Sequence, residues 1–198
     1  MGLRKVDVEI VPTNDVANID LDFALNTYKD AFIEYVNVKI SNKALNLDEF
    51  PYRITIFGKQ YLADVILKAA IQMRRNDVII VLTSTDIYTT GTNYIFGLAT
   101  IGSALISSAR INPSFWKGFE EIFHYTNKGR AFFKKQFKKV LIHEFGHTLG
   151  LPHCNDWNCV MHYSNSPIEL YRKGDWFCIN CWKELTLQLV GIMKSNKE

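Results

Sequence analysis

The stretch His143-Glu144-Phe145-Gly146-His147-Thr148-Leu149-Gly150-Leu151-Pro152-His153 fits the spacing HExxHxxGxxH. On a helix, His143 and His147 lie four residues apart on one face, so their two imidazoles can hold one ion. Glu144, one position further on, reaches a water on that ion without joining its ligands. Gly150 can take a positive φ that stops the helix and turns the chain, and Pro152 discourages continuation. The turn brings His153 back as a third ligand. Three histidines leave one coordination position open, the layout of a catalytic rather than a structural zinc. A bare HExxH arises by chance in roughly one chain in a hundred of this length, and the added glycine and histidine lower that to the order of one in a hundred thousand. Ordinary helix residues followed by a plain glycine cap are therefore the weaker reading.

The motif fixes a long helix, which the pattern places over Lys128–Leu149. Phe133, Phe137, Val140, Leu141 and Thr148 supply its core-facing stripe. Lys134, Lys135, Lys138 and Lys139 are assigned to a solvated face, with no acidic residue between Ile122 and His143. A positive field favouring acidic substrates or nucleic acid is the sharper alternative for that face.

All four cysteines and four of the five histidines lie between His143 and Cys181. The cysteines read Cys154-x4-Cys159-x18-Cys178-x2-Cys181, two short-spaced pairs separated by a loop, as in a four-cysteine structural zinc site. Two disulfides, or free buried thiols, are the other readings. Cys154 directly follows His153, so a structural zinc would fix the segment that carries the third catalytic ligand. Met161 lies eight residues after His153, inside the same loop; a methionine taken alone is core filler.

The chain of 198 residues and 22.8 kDa is 47% hydrophobic and 22% charged, which excludes disordered, collagen-like and coiled-coil classes for its bulk. Its formal charge of +3 is too weak to imply nucleic acid. Met1–Lys5 runs into Val-Asp-Val-Glu-Ile with no apolar leader, and no run approaches the roughly 20 apolar residues of a membrane span. A cytoplasmic monomer with no membrane or nucleic-acid partner is expected. Nothing ahead of the first strand is long enough to act as an inhibitory pro-segment.

Working back from the motif, alternation predicts a strand over Lys5–Val11, and helical spacing predicts a helix over Asp20–Val36. A short strand follows at Asn37–Ile40, a connection over Asn42–Arg53 and a second helix over Lys59–Arg75. Val78–Leu82 reads as a central strand. Tyr94–Ile101 and Ala104–Ile111 read as strands flanking a turn at Gly102-Ser103, and Asn112–Asn127 as loop. Beyond the long helix the chain reads as loop until a final helix over Trp182–Met193. The order is that of an α/β (α+β) fold, a mixed sheet with helices packed on it. Residues 1–150 form its N-terminal unit and 151–198 a small loop-rich C-terminal one.

The extended motif HEFGHTLGLPHC, then Cys159-Val160-Met161, then Cys178-Ile179-Asn180-Cys181, resembles the archaemetzincins, small zinc metallopeptidases of the metzincin clan. Weaker echoes are Gln60-Tyr61, Asn93-Tyr94-Ile95-Phe96-Gly97 and Ser107-Ser108-Ala109-Arg110-Ile111. The resemblance implies a metzincin fold, with a twisted mixed sheet, a backing helix and an active-site helix. It implies a Met turn at Met161 beneath the catalytic zinc, and an edge strand within Tyr94–Ile101 that pairs with extended substrate. Two positions depart from the family pattern: Leu98 stands where an acidic residue is usual, and Tyr171 where an aspartate is common. In the related astacins and serralysins, a tyrosine two residues after the methionine contacts the zinc or the oxyanion. Tyr163 occupies that place, with a packing aromatic as the alternative reading.

The expected activity is hydrolysis of peptide bonds, on short peptides, by a zinc-activated water with Glu144 as general base and acid. Two Zn²⁺ are expected, one catalytic on His143, His147 and His153, and one structural on Cys154, Cys159, Cys178 and Cys181. The competing expectation is a zinc-stabilised binding or scaffold protein with little turnover. His162 has no assigned role.

Overall fold

The computed structural model describes residues 3–116 and 129–195. The loop expected over Asn112–Asn127 thus lies mostly outside the described residues, as does Lys128 at the expected start of the long helix. Strands β1 (Val6–Pro12), β2 (Val36–Ile40), β3 (Tyr52–Thr55), β4 (Gly58–Leu62), β5 (Val78–Thr83), β6 (Asp86–Tyr88), β7 (Gly97–Thr100) and β8 (Ser103–Ser107) form two sheets. Helices α1 (Asn18–Ala31), α2 (Ala63–Met73), α3 (Gly129–Thr148), α4 (Pro167–Arg172) and α5 (Ile179–Ser195) accompany them.

The main sheet has the order β2-β1-β5-β8-β7. Its first four strands are parallel, and β7 adds antiparallel to β8 through a two-residue turn at Ile101-Gly102. A parallel strand covered on both faces needs a continuous apolar run, and all six residues of β5 are buried. Its side chains alternate. Val78, Ile80 and Leu82 join the core under α1 and α3, whereas Ile79 and Val81 face Ile66 and Ala70 of α2. Helix α2 therefore backs the sheet, and α3 lies on the cleft side against β7 and β8.

Several boundaries differ from the sequence reading. Residues 59–62, expected inside the second helix, belong to β4, which pairs antiparallel with β3; β3 itself starts inside the expected connection. The run Tyr52-Arg53-Ile54-Thr55-Ile56 does alternate, but its apolar groups point outward: Ile54 and Ile56 are exposed. Strand β7 covers only the second half of Tyr94–Ile101. Strand β8 ends at Ser107, and Ala109–Ile111 coil into a 3-10 turn. Helix α4 was expected to be loop. It is short, and its signals are local: Ser166 caps the N-terminus by accepting from the Glu169 N–H, and Pro167 fills the first turn. Helix α5 begins at Ile179, three residues before the expected start.

Lys139 corrects the expectation of a solvated lysine face. It is 2% exposed, and its Nζ donates to the carbonyls of Leu170 (3.0 Å), Tyr171 (2.8 Å) and Lys173 (2.7 Å). Lys135 and Lys138 do face solvent. One inward lysine thus ties α3 to the end of α4.

Candidate metal centre and cleft

Helix α3 delivers two of the three histidines, and its ending delivers the third. Gly150 takes φ +86°. The N–H of Leu151 donates to the Gly146 carbonyl, and that of Gly150 to the His147 carbonyl, the paired bonds of a Schellman cap. The chain reverses there and His153 returns to the helix. The His143 and His147 ring centroids are 4.6 Å apart, and His153 lies 5.3 Å and 4.7 Å from them. The two Nε2 atoms on the helix stand 3.2 Å apart. A zinc with bonds of 2.0–2.1 Å at the centre of a tetrahedron sets its nitrogen ligands about 3.3 Å apart, so these imidazoles fit one. Nδ1 of His143 pairs with the Val160 carbonyl at 2.8 Å, and Nδ1 of His147 with that of Leu151 at 2.7 Å. Each bond places the ring proton on Nδ1 and leaves Nε2 free to ligate.

The four cysteine sulfurs gather a few residues away, all within 4.8 Å of one another, with Cys154 and Cys178 Sγ at 3.9 Å. None of the four is in a disulfide. Sulfurs on one zinc at 2.3 Å are about 3.8 Å apart, so this set also fits a tetrahedral ion, with no position left open. Cys178 immediately precedes α5, where the Cys181 N–H lowers its thiol pKa; burial raises that of Cys159. The Cys154 N–H donates to the Met161 carbonyl at 3.0 Å, which joins this cluster to the turn beneath the histidines. Met161 is fully buried there, and a Cβ on Gly146 would stand 2.5 Å from its Sδ. A side chain at position 146 would lift the helix off that floor.

A cavity of about 360 Å³ opens over the histidines. Its upper wall is Tyr94 to Ala99, and its lower wall Tyr163 to Asn165. Glu144 lies in it at 5% exposure, and burial pushes its carboxyl up to about 8 against the pull of Lys173. Burial lowers His143, His147 and His153, the last to about 4, which favours the neutral rings that a metal would need. Tyr163 is exposed and sets its ring edge-on to His153, with centroids 4.9 Å apart. His162 turns away and stacks on Trp157 at 3.9 Å.

Sequence reasoning missed Lys173. It is 4% exposed and lines the cavity. Its Nζ donates to the His162 carbonyl at 2.9 Å and lies 3.2 Å from His143 Nδ1; burial lowers it to about 8. A lone lysine between Arg172 and Gly174 carries no signal of this. Only the fold turns it inward.

Fold and site together define a zinc-dependent peptidase. The model for the family described as "Peptidase family M54" matches residues 35–187. The archaemetzincin of Pyrococcus furiosus is 32% identical over 186 residues, covering 91% of this chain and 92% of its own. That of Saccharolobus solfataricus is 36% identical over 181 residues, with 90% and 92% covered. The crystal structure of the Methanopyrus kandleri archaemetzincin superposes with a TM-score of 0.74 at 28% identity, over 94% of this chain and 96% of that one. The chain belongs to peptidase family M54. Its mixed sheets and helices match the archaemetzincin structures, as the resemblance in the sequence implied.

Proposed function

We propose that the chain hydrolyses peptide bonds at the histidine cluster, with zinc held by His143, His147 and His153, and that it acts on short peptides. The convergence of three neutral imidazoles beside a buried carboxylate carries this reading. Zinc, when bound, supplies a Lewis acid and a water acidified towards neutrality. Glu144 accepts a proton from the attacking water and returns one to the leaving amine. Lys173 adds positive charge nearby, which favours the ionised Glu144 that can accept that proton. Strand β7, the outer edge of the main sheet, offers its free backbone groups to an extended peptide. Tyr163, against His153, is placed to meet the reacting carbonyl.

Cys154, Cys159, Cys178 and Cys181 hold a second, structural zinc in this reading. Residues 1–150 carry the sheet and active-site helix, and 151–198 the third ligand, the Met turn and the cysteine site. A cytoplasmic monomer without a nucleic-acid partner completes the proposal. Among the described residues no helix is long and apolar enough to cross a membrane. Membership of a peptidase family, with Glu144 intact, weighs against a scaffold that has lost its chemistry.

The test is Glu144→Gln in zinc-loaded protein. Metal analysis should find two zincs per chain in both forms, one yielding first to a chelator. Cleavage of a mixed peptide library should fall by roughly 10²–10⁴-fold in the variant. Equal cleavage by the two forms would remove Glu144 from the chemistry.

A further inference from the structure

A side-chain hydrogen bond joins the upper and lower walls of the cleft. The Tyr94 hydroxyl donates to the Asn165 carbonyl at 2.9 Å. A peptide strand needs about 4.7 Å of lateral room on each side, so none passes between walls joined by a direct hydrogen bond.

Both ends of this contact are fixed from behind. The Tyr94 ring lies on the Arg110 guanidinium, 4.0 Å from its centroid. Arg110 is buried and clamps Asp86 with two bonds, 2.8 and 2.7 Å. The buried Gln60 amide donates to Asp86 Oδ2 and to the Asn93 carbonyl, each at 2.9 Å, which pins the backbone next to Tyr94. On the other wall, Asn165 donates its N–H to Glu169 Oε2 at 2.6 Å, and Ser166 caps the same turn. A bridge between two braced segments costs little further ordering to keep closed.

The bridge also has a definite place. Gly97, at the start of β7, abuts the Glu144 carboxylate. Tyr94 is three residues before it, at most roughly 10 Å of extended chain. Antiparallel pairing is the geometry β7 already has with β8 and the more stable per residue, and it points the C-terminal flank of a bound peptide towards Tyr94.

We infer that the Tyr94–Asn165 bridge closes one end of the cleft, so that the enzyme accepts no more than about three residues after the scissile bond and releases short C-terminal fragments. This rests on the hydrolysis reading above, and the test separates the two. Zinc-loaded wild type and Tyr94→Ala, which removes the ring together with the bridge and opens the gap between the walls, are titrated with two series of zinc-anchored peptides. One carries a C-terminal hydroxamate and extends along the N-terminal flank; the other carries an N-terminal succinyl hydroxamate and extends along the C-terminal flank. Each series grows from one to five residues. Peptides of matched lengths are digested in parallel and the products weighed by mass spectrometry.

Wild type should bind the first series at every length. It should lose about tenfold or more in Kd beyond the third residue of the second, and Tyr94→Ala should remove most of that loss. Equal tolerance of both flanks in wild type overturns the inference, as does the same length limit in Tyr94→Ala, or a limit on the opposite flank. A length limit in binding without cleavage of any peptide would sink the hydrolysis reading and leave the closed end standing. Cleavage without a length limit would do the reverse.

Discussion

Gly97 faces Glu144 so closely that a Cβ at position 97 would stand 2.5 Å from the carboxylate carbon and from Oε1. The edge strand that is to hold substrate and the residue that is to move the proton are thus in van der Waals contact, with no space for even a methyl group. The carboxylate is aimed by the strand as much as by its own helix.

Gly97→Ala should therefore push the carboxylate aside without disturbing the histidines. Misplacement by about an ångström costs on the order of 10²-fold in turnover. Peptide cleavage should drop by that factor while zinc content stays at the wild-type value. Loss of zinc in proportion to activity would show that the strand supports the metal rather than the carboxylate.

Gly146→Ala tests the floor. The new methyl would meet Met161 Sδ at 2.5 Å and Cε at 3.0 Å, with the Phe177 ring at 3.3 Å. Overpacking of this kind costs about 1–3 kcal/mol. Thermal unfolding should show the loss, and the shorter side chain in the double variant Gly146→Ala/Met161→Ala should not add the two single costs.

Lys139→Met removes three hydrogen bonds and leaves buried carbonyls at the end of α4 without their donor. Denaturant titration should show a loss of about 1–3 kcal/mol or more. The exposed neighbour Lys138→Met should stay within about 0.5 kcal/mol of wild type. Equal effects would mean that the inward lysine contributes nothing to holding the two helices together.

Cys178→Ser should weaken zinc at the histidines, because the cysteine cluster, the Met161 carbonyl and His153 share one short segment. The expected loss is about 10–100-fold in affinity for the more readily chelated zinc. Unchanged affinity would uncouple the two sites.

Acid should release the metal. Burial holds the three ligand imidazoles below the ordinary histidine value of 6.5, His153 at about 4. Their folded pKa values lie below the unfolded ones, so the stability of the neutral rings is complete above about pH 6.5 and is lost as pH falls through the folded values. Zinc needs the same neutral rings and should leave in the same window. Dialysis at steps between pH 7 and pH 4, followed by metal analysis and melting, reads both effects; full zinc retention at pH 4 would contradict the assignment.

Much of the site was legible because its signals are local. Helix periodicity brings His143 and His147 together, and a glycine cap returns His153; both depend on fewer than a dozen consecutive residues. The cysteine pairs announce themselves by spacing. Lys173 and Lys139 escaped because a lysine's direction is set by whatever packs over it, here segments 30 or more residues away in the chain. The β3–β4 hairpin escaped for another reason: β4 runs straight into α2, so its residues read as the first turn of that helix. Tyr94 showed itself as part of an extended run, but its partner Asn165 lies 71 residues further on, beyond any pattern in the sequence.

The last helix completes the core. Leu185, Leu189 and Met193 of α5 are buried in the same cluster as Val6 and Val8 of β1. A chain emerging from the ribosome therefore lacks the groups that close its hydrophobic interior until Met193 has been made, and a domain folds as a unit. His153 and the cysteines emerge only after the main sheet and α3. Until those residues have emerged, the chain can neither close this interior nor bring the histidines and cysteines together, so the cleft cannot form ahead of the core that supports it.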